Sequence, residues 1–422
     1  MSNNKYSKYY EAVRFVESIG SISSSNYMTD RHNPEVFLSR TRYLLNLVGN
    51  PDKDLQFIHI AGTSGKGTVC NLTQQQLMLN KQKTGLFTSP YVSTLIEKFK
   101  VDDKYISPSE FVEIVNELKP VINQMYATCP FGAPSYFELC FAIALMYFAR
   151  QECDWVVLET GLGGRYDCTN VIKHPKICAI TNIGYDHMNI LGKTLTKIAS
   201  DKSGIAKKSA IFITSEKRPR LVKIIKNIAT KNGVSKFITT NHSLNLSQQN
   251  SELVSNIIKS VGYKYIENVD IPNLPGRFEI VNQSPIVILD GAHNYDKISY
   301  TLDKLTNLKY DKLITVFAVA EDKDMTKTLP KLVGLSDKII VTKFINDHRK
   351  HALPKVIYDE IKSINSKFDC RINIDASDSV NEAIKIANPN DIVLVIGSFY
   401  LVGEVRKKWY SEEYILDNRK SY

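Results

Sequence analysis

Short apolar runs rich in β-branched residues recur along the chain, each closed by turn or polar residues and separated by stretches with helical spacing. That alternation predicts an α/β fold with a mainly parallel sheet, since strands buried on both faces read as continuous apolar runs. Strands are expected at 57–60, 155–158, 177–180 and 210–213, and again at 286–289, 313–317, 339–341 and 392–396. Residues 139–149 are the longest strongly apolar stretch; they are too few to span a bilayer and read as a buried helix. Between the two groups of strands, Ile271-Pro272-Asn273-Leu274-Pro275-Gly276 carries the two prolines and the glycine of a hinge. The expected organisation is therefore two domains, 1–272 and 273–422, the second smaller. The polar stretch 244–251 is expected to be a loop or the start of a helix.

A chain of 422 residues exceeds what one core usually organises, which agrees with two domains. With 43% hydrophobic and 23% charged residues the composition is that of a globular protein. The polar N-terminus lacks the pattern of a signal peptide, so a cytoplasmic location is expected. Seven scattered cysteines without a C-x-x-C pair suit a reducing compartment and argue against a zinc site. The formal charge is +10, but basic and acidic residues are interleaved and no basic block marks a nucleic-acid face. Such a field would still concentrate anionic small molecules.

Gly62-Thr63-Ser64-Gly65-Lys66-Gly67-Thr68 lies directly after the first expected strand and before a helix-like stretch, 69–79. This is the placement of a phosphate-binding loop. Glycines let the backbone curl so that N–H groups and a helix N-terminus face one anion, while Lys66 brings a mobile charge and Thr68 a hydroxyl. The spacing departs from G-x-x-x-x-G-K-[ST], because the first glycine is closer and Gly67 separates the lysine from Thr68.

Parallel sheets bind ligands beyond the carboxyl ends of their strands, where several oxygen and nitrogen donors are expected. Glu159, at the end of 155–158, could reach the magnesium of a nucleotide or cap the Gly-rich run that follows. His187, after 177–180 and beside Asp186, is a metal ligand or an ordinary loop histidine. Ser89, before Pro90, donates its oxygen to a metal or starts a turn. Tyr136 and Phe137 either stack on a flat ring or begin a core helix.

In order and spacing the chain resembles the folylpolyglutamate synthase and dihydrofolate synthase family of the Mur ligase superfamily. The resemblance rests on Gly62 to Thr68, Gly85-Leu86-Phe87-Thr88-Ser89-Pro90, Phe137-Glu138, Glu159-Thr160-Gly161-Leu162-Gly163-Gly164-Arg165, Thr181-Asn182-Ile183-Gly184 and Asp186-His187. It continues through Lys202-Ser203-Gly204-Ile205, Pro275-Gly276-Arg277, Asp290-Gly291-Ala292-His293-Asn294 and Gly397-Ser398. It implies an N-terminal P-loop ATPase domain with a mainly parallel sheet, plus a smaller C-terminal Rossmann-like α/β glutamate-ligase domain.

The resemblance also implies site residues. Ser89, Glu159 and His187 would hold magnesium. Gly62, Thr63, Ser64, Gly65, Lys66, Gly67 and Thr68 would hold ATP together with Asn250, Arg277, Asp290 and His293. The His-Gln pair usual before the asparagine reads here as Leu246-Ser247. Lys202 would be carbamylated, an ordinary lysine being the alternative, and would act with Lys66 and His187 in catalysis. Ser135, Tyr136, Phe137 and Glu138 would contact dihydropteroate or a folate. Where the family carries an arginine followed by a Glu-Arg pair, this chain has Thr94 and Glu97-Lys98.

The implied activity is the addition of L-glutamate to a folate, or to dihydropteroate, by a monomer that engages neither nucleic acid nor membrane. A free carboxylate cannot expel oxide at neutral pH, so ATP must first convert it to an acyl phosphate. Three other readings share parts of the pattern. A cell-wall precursor ligase would need a further N-terminal domain, a nucleotide-binding switch would not need the second half, and a nucleic-acid ATPase would need a basic stripe.

Overall fold

The computed structural model describes residues 5–20, 35–241, 246–269, 273–346 and 349–422. Ile271 and Pro272 of the expected hinge, and residues 244 and 245 of the polar stretch, lie outside them. That stretch continues as the helix Leu246–Ser260.

Eight strands form the first sheet: β1 (Gln56–Ala61), β2 (Thr84–Phe87), β3 (Phe99–Val101), β4 (Lys104–Tyr105), β5 (Trp155–Glu159), β6 (Ile177–Ile180), β7 (Ile211–Thr214) and β8 (Lys236–Thr239). Their order is β4-β3-β2-β5-β1-β6-β7-β8, antiparallel at β2/β3 and β3/β4 and parallel elsewhere. The second sheet holds β9 (Glu279–Gln283), β10 (Ile286–Asp290), β11 (Leu313–Phe317), β12 (Lys338–Val341), β13 (Cys370–Ile372) and β14 (Ile392–Ile396). Its order is β13-β12-β11-β14-β10-β9, with only β9 antiparallel. All eight expected strands are present; that expected at 210–213 runs one residue later.

Burial explains why those eight were visible. β5, β6, β11 and β14 are buried along their whole length, helices covering both faces. The expected apolar helix is Tyr136–Arg150, buried continuously from Glu138 to Phe148. It opens with a capping box in which the Ser135 hydroxyl accepts from Glu138 N while the Glu138 carboxylate accepts from Ser135 N. Among the described residues no helix is long and apolar enough to cross a membrane. All seven cysteines are free thiols.

The chain divides into two compact units between Pro272 and Asn273, with one exchange: Tyr91–Thr94 belongs to the second unit. Three contacts fasten that segment there. The Val92 carbonyl lies where any Gly403 side chain would stand. Ser93 Oγ accepts from Arg406 Nη1 at 3.1 Å, and Thr94 Oγ1 donates to Glu412 Oε1 at 2.9 Å. Arg406 is fully buried, and its Nε donates to both Glu279 carboxylate oxygens at 3.0 Å. It also donates to the Ser421 carbonyl at 2.7 Å, so one guanidinium joins four stretches of chain.

Candidate functional site

In the first unit β1 lies at the centre, flanked in parallel by β5 and β6, so the carboxyl ends of β2, β5, β1 and β6 line one edge. The loop Gly62–Thr68 leaves β1 at that edge. Gly62 has φ +149°, and a Cβ there would fall 1.8 Å from Thr181 Oγ1, so only glycine fits. Gly65 adopts the left-handed conformation that turns the chain into the helix Lys66–Leu79. The first-turn N–H groups of that helix, without partners further back in it, face the loop.

The segment after β6 braces the loop. Thr63 N donates to the Asn182 carbonyl and Ser64 N to Asn182 Oδ1, each at 2.9 Å, while Thr181 Oγ1 donates to the Ser64 carbonyl at 2.7 Å. These bracing roles were not anticipated, although the Thr-Asn-Ile-Gly motif marked the segment. Asn250 lies against the loop: a Cβ on Gly65 would sit 3.2 Å from its amide atoms.

Four of the expected residues meet at the mouth of the loop. Lys66 Nζ donates to the Gly62 carbonyl at 3.1 Å, and Lys202 Nζ to the same oxygen at 2.8 Å. Lys66 Nζ is also 4.0 Å from Glu159 Oε1, and Glu159 Oε2 accepts from Ser89 N at 3.2 Å. Glu159 is only 3% exposed, a cost that the nearby ammonium offsets. The buried atoms Ser64 Oγ, Thr160 Oγ1 and Asp201 Oδ1 have no hydrogen-bond partner among the described residues. Burial pushes the Asp201 carboxyl up from its usual range, against the attraction of Lys202 and Arg165.

A carboxylate and a serine hydroxyl are oxygen ligands of the kind that a hard cation takes. His187 follows β6 on the same edge in the left-handed conformation, its Nε2 3.9 Å from Asp186 Oδ1. Among the described residues no three His, Cys, Asp or Glu side chains form a group that could hold a metal ion.

The Ser135 to Glu138 segment divides by role. The Glu138 carboxylate, 2% exposed, is engaged by Arg40 Nε at 2.9 Å, by Arg40 Nη2 at 2.9 Å and by Thr41 Oγ1 at 3.2 Å. It anchors the helix start, and Tyr136 and Phe137 remain half-buried. Phe137 packs against Gly161 of the Gly-rich run, where a Cβ would lie 2.5 Å from its Cζ. The Lys98 ammonium, buried, sits 5.5 Å from the Tyr136 ring and 5.3 Å from the Phe137 ring. Burial lowers the Lys98 pKa, and the basic member of the Glu-Lys pair was its only signal in the sequence.

The second unit gathers its own group. The Asp290 carboxylate, at the end of β10, accepts from Phe278 N at 2.9 Å, Ala292 N at 2.8 Å and Thr301 Oγ1 at 2.9 Å. Burial pushes its carboxyl up, and those hydrogen bonds oppose the shift. Asp290 thus shapes the turn that carries His293. His293 Nδ1 lies 2.8 Å from the Gly291 carbonyl and Nε2 3.2 Å from Lys297 Nζ. Since a carbonyl only accepts, Nδ1 carries the proton and Nε2 accepts from Lys297. Arg277 lies with its guanidinium carbon 5.0 Å from the Phe399 ring. Sequence reasoning missed Lys297 and Phe399.

Comparison with known proteins bears on the family and the fold. The Mur ligase middle domain family matches residues 60–285, more than half the chain, and the Mur ligase glutamate ligase domain family matches residues 276–399. A dihydrofolate synthase/folylpolyglutamate synthase of Bacillus subtilis (strain 168) is 29% identical over 413 residues, covering 88% of this chain and 94% of that protein. Its counterpart in Buchnera aphidicola subsp. Schizaphis graminum is 30% identical over 380 residues, covering 82% and 87%. Mycobacterium tuberculosis folylpolyglutamate synthase, solved with ADP, superposes with a TM-score of 0.83 at 22% identity, covering 96% of this chain and 99% of that one. The last shows the fold, the first two the lineage. The chain belongs to the dihydrofolate synthase/folylpolyglutamate synthase family of the Mur ligases.

Proposed function

We infer that this chain is an ATP-dependent, ADP-forming ligase that joins L-glutamate to a folate, with dihydropteroate as a further acceptor. One observation carries the reading: Lys66 and Lys202 converge on the Gly62 carbonyl beside the Glu159–Ser89 pair, at the mouth of a phosphate-type loop. The relatives' names supply the substrate class; the geometry supplies the means of activating it.

The loop N–H groups and Lys66 hold the β- and γ-phosphates, and Lys66 neutralises charge as the γ-phosphoryl passes to the substrate carboxylate. Asn250 contacts the nucleotide beside Gly65. Arg277 supplies guanidinium donors to the phosphates, while His293, and Asp290 through its turn, serve the ribose and adenine end. Tyr136 and Phe137 offer ring faces to the pterin, with Ser135 and Glu138 holding the helix start that presents them. The glutamate amine then attacks the acyl carbon and phosphate leaves, so no enzyme nucleophile is needed.

Ser89, Glu159 and His187 are the residues that would hold magnesium, which when bound screens phosphate charge. Carbamylation of Lys202 would turn a cation into an acidic group at this edge. Burial of the ε-amine beside the Gly62 carbonyl supports that reading, and intact mass spectrometry at neutral pH in bicarbonate would show the added carboxyl.

Purified protein incubated with ATP, magnesium, glutamate and either tetrahydrofolate or dihydropteroate should yield products one glutamyl residue heavier, with ADP formed in equal amount. ATP turnover indifferent to glutamate and to both acceptors would sink the reading.

A further inference from the structure

Within the second unit, Arg277, His293 and the Asp290 turn surround one side chain that the proposed chemistry does not use. Phe399 opens the helix Phe399–Arg406 just after β14, and its ring is half-buried. The Arg277 guanidinium carbon lies 5.0 Å from the ring centroid. The His293 ring meets it edge-on, centroids 6.2 Å apart at 64°. The backbone of both flanking turns rests on the same ring: a Cβ on Gly291 would come within 2.4 Å of Phe399 Cδ1, and one on Gly276 within 3.4 Å.

Arg277 brings five N–H donors, and among the described residues no hydrogen bond or ion pair engages them. Its ring contact is a π face, which attracts the cation without occupying a donor, and the Asp290 carboxyl also acts on it electrostatically. A guanidinium resting on a ring is restricted before any ligand arrives, so less freedom is lost when an anion binds.

We propose that Phe399 is a positioning residue for the nucleotide: its ring holds the Arg277 guanidinium in place, donors outward to the phosphates. This rests on the reading of Arg277 as a phosphate contact. Leucine at 399 would keep apolar bulk without the π face, and tyrosine would keep the face, so the pair separates ring electronics from packing.

The test is equilibrium binding of a non-hydrolysable ATP analogue with magnesium, by calorimetry on the full chain, with thermal midpoints recorded alongside. Arg277→Ala should weaken binding about tenfold and Phe399→Leu about 3–10-fold, with Phe399→Tyr within about twofold of wild type. The double variant Arg277→Ala/Phe399→Leu should bind no more weakly than Arg277→Ala alone. Wild-type affinity in Phe399→Leu, with Arg277→Ala weakened, overturns the role of the ring and leaves the phosphate contact standing. Wild-type affinity in Arg277→Ala overturns both. Losses that add in the double variant overturn positioning through Arg277. Should the leucine protein fold incompletely, Phe399→Met gives the same comparison.

Discussion

The ε-amines of Lys66 and Lys202 share one carbonyl acceptor, yet they are expected to fail differently when removed. On the proposed reading Lys66→Ala removes the charge that meets the outer phosphates, and it should lower kcat at least about 100-fold with the thermal midpoint nearly unchanged. Lys202→Ala should be equally inactive but regain measurable turnover with added short carboxylic acids, which could occupy the space of a carbamate; steady-state assays with and without acetate check this. His59 is a different kind of residue. It lies buried in β1, its Nε2 2.8 Å from Thr169 Oγ1, and burial, with Lys207 nearby, lowers its pKa to about 3. The unfolded chain therefore takes up a proton near pH 6.5 that the folded chain refuses. Its share of stability is full above pH 6.5 and declines as pH falls toward 3, by about 1.4 kcal/mol per pH unit. Urea unfolding of wild type and His59→Gln at pH 7 and pH 5 should show a pH-dependent loss about 2 kcal/mol larger in wild type. Equal losses would mean that His59 is not the group responsible.

Helix Tyr136–Arg150 shows how an element serves both packing and placement. Its start is fixed by the capping box and by the buried Arg40–Glu138 pair, and its next turns are core. Ser135→Ala should cost about 1 kcal/mol of unfolding free energy. Glu138→Ala, which strands the Arg40 guanidinium, should cost about 3–5 kcal/mol, much of it recovered when Arg40 is also replaced by methionine. Chemical denaturation of the three variants tests the order. Elements of this kind were legible from sequence because burial on every side leaves a continuous apolar run. β8 and β9 were not: Lys236–Thr239 and Glu279–Gln283 mix charged and apolar residues at an exposed sheet edge. β2 was hidden by its glycine, although the Gly-Leu-Phe motif stood on it.

At the scale of the molecule the glycine-rich loop could be read directly, since a strand, a glycine-rich turn, a lysine and a helix are contiguous in sequence. The partners could not. Asn182 beneath the loop and Phe399 beneath Arg277 act across more than a hundred residues, and nothing local marks an aromatic residue as a platform. A ligand that binds only the folded chain raises its midpoint by mass action. Saturating nucleotide with magnesium at about 100 times Kd should add about 2.7 kcal/mol of stability in wild type and much less in Lys66→Ala, read as thermal midpoints. With a formal charge of +10, nucleotide association should also slow as ionic strength rises, which stopped-flow binding at two salt concentrations would show.

The loan of Tyr91–Thr94 to the second unit limits how this polypeptide can be taken apart. Cutting after Pro272 would divide the backbone once, yet the C-terminal piece would leave behind the serine that caps Arg406 and the peptide that fills the hollow above Gly403. A fragment of 273–422 should therefore be poorly folded until a short synthetic peptide spanning 89–96 is added, whereas severing the chain at an exposed surface turn would be tolerated. Gene splitting, domain swapping between homologues and circular permutation all meet the same constraint, because three covalent crossings join the halves where the domain boundary alone suggests one.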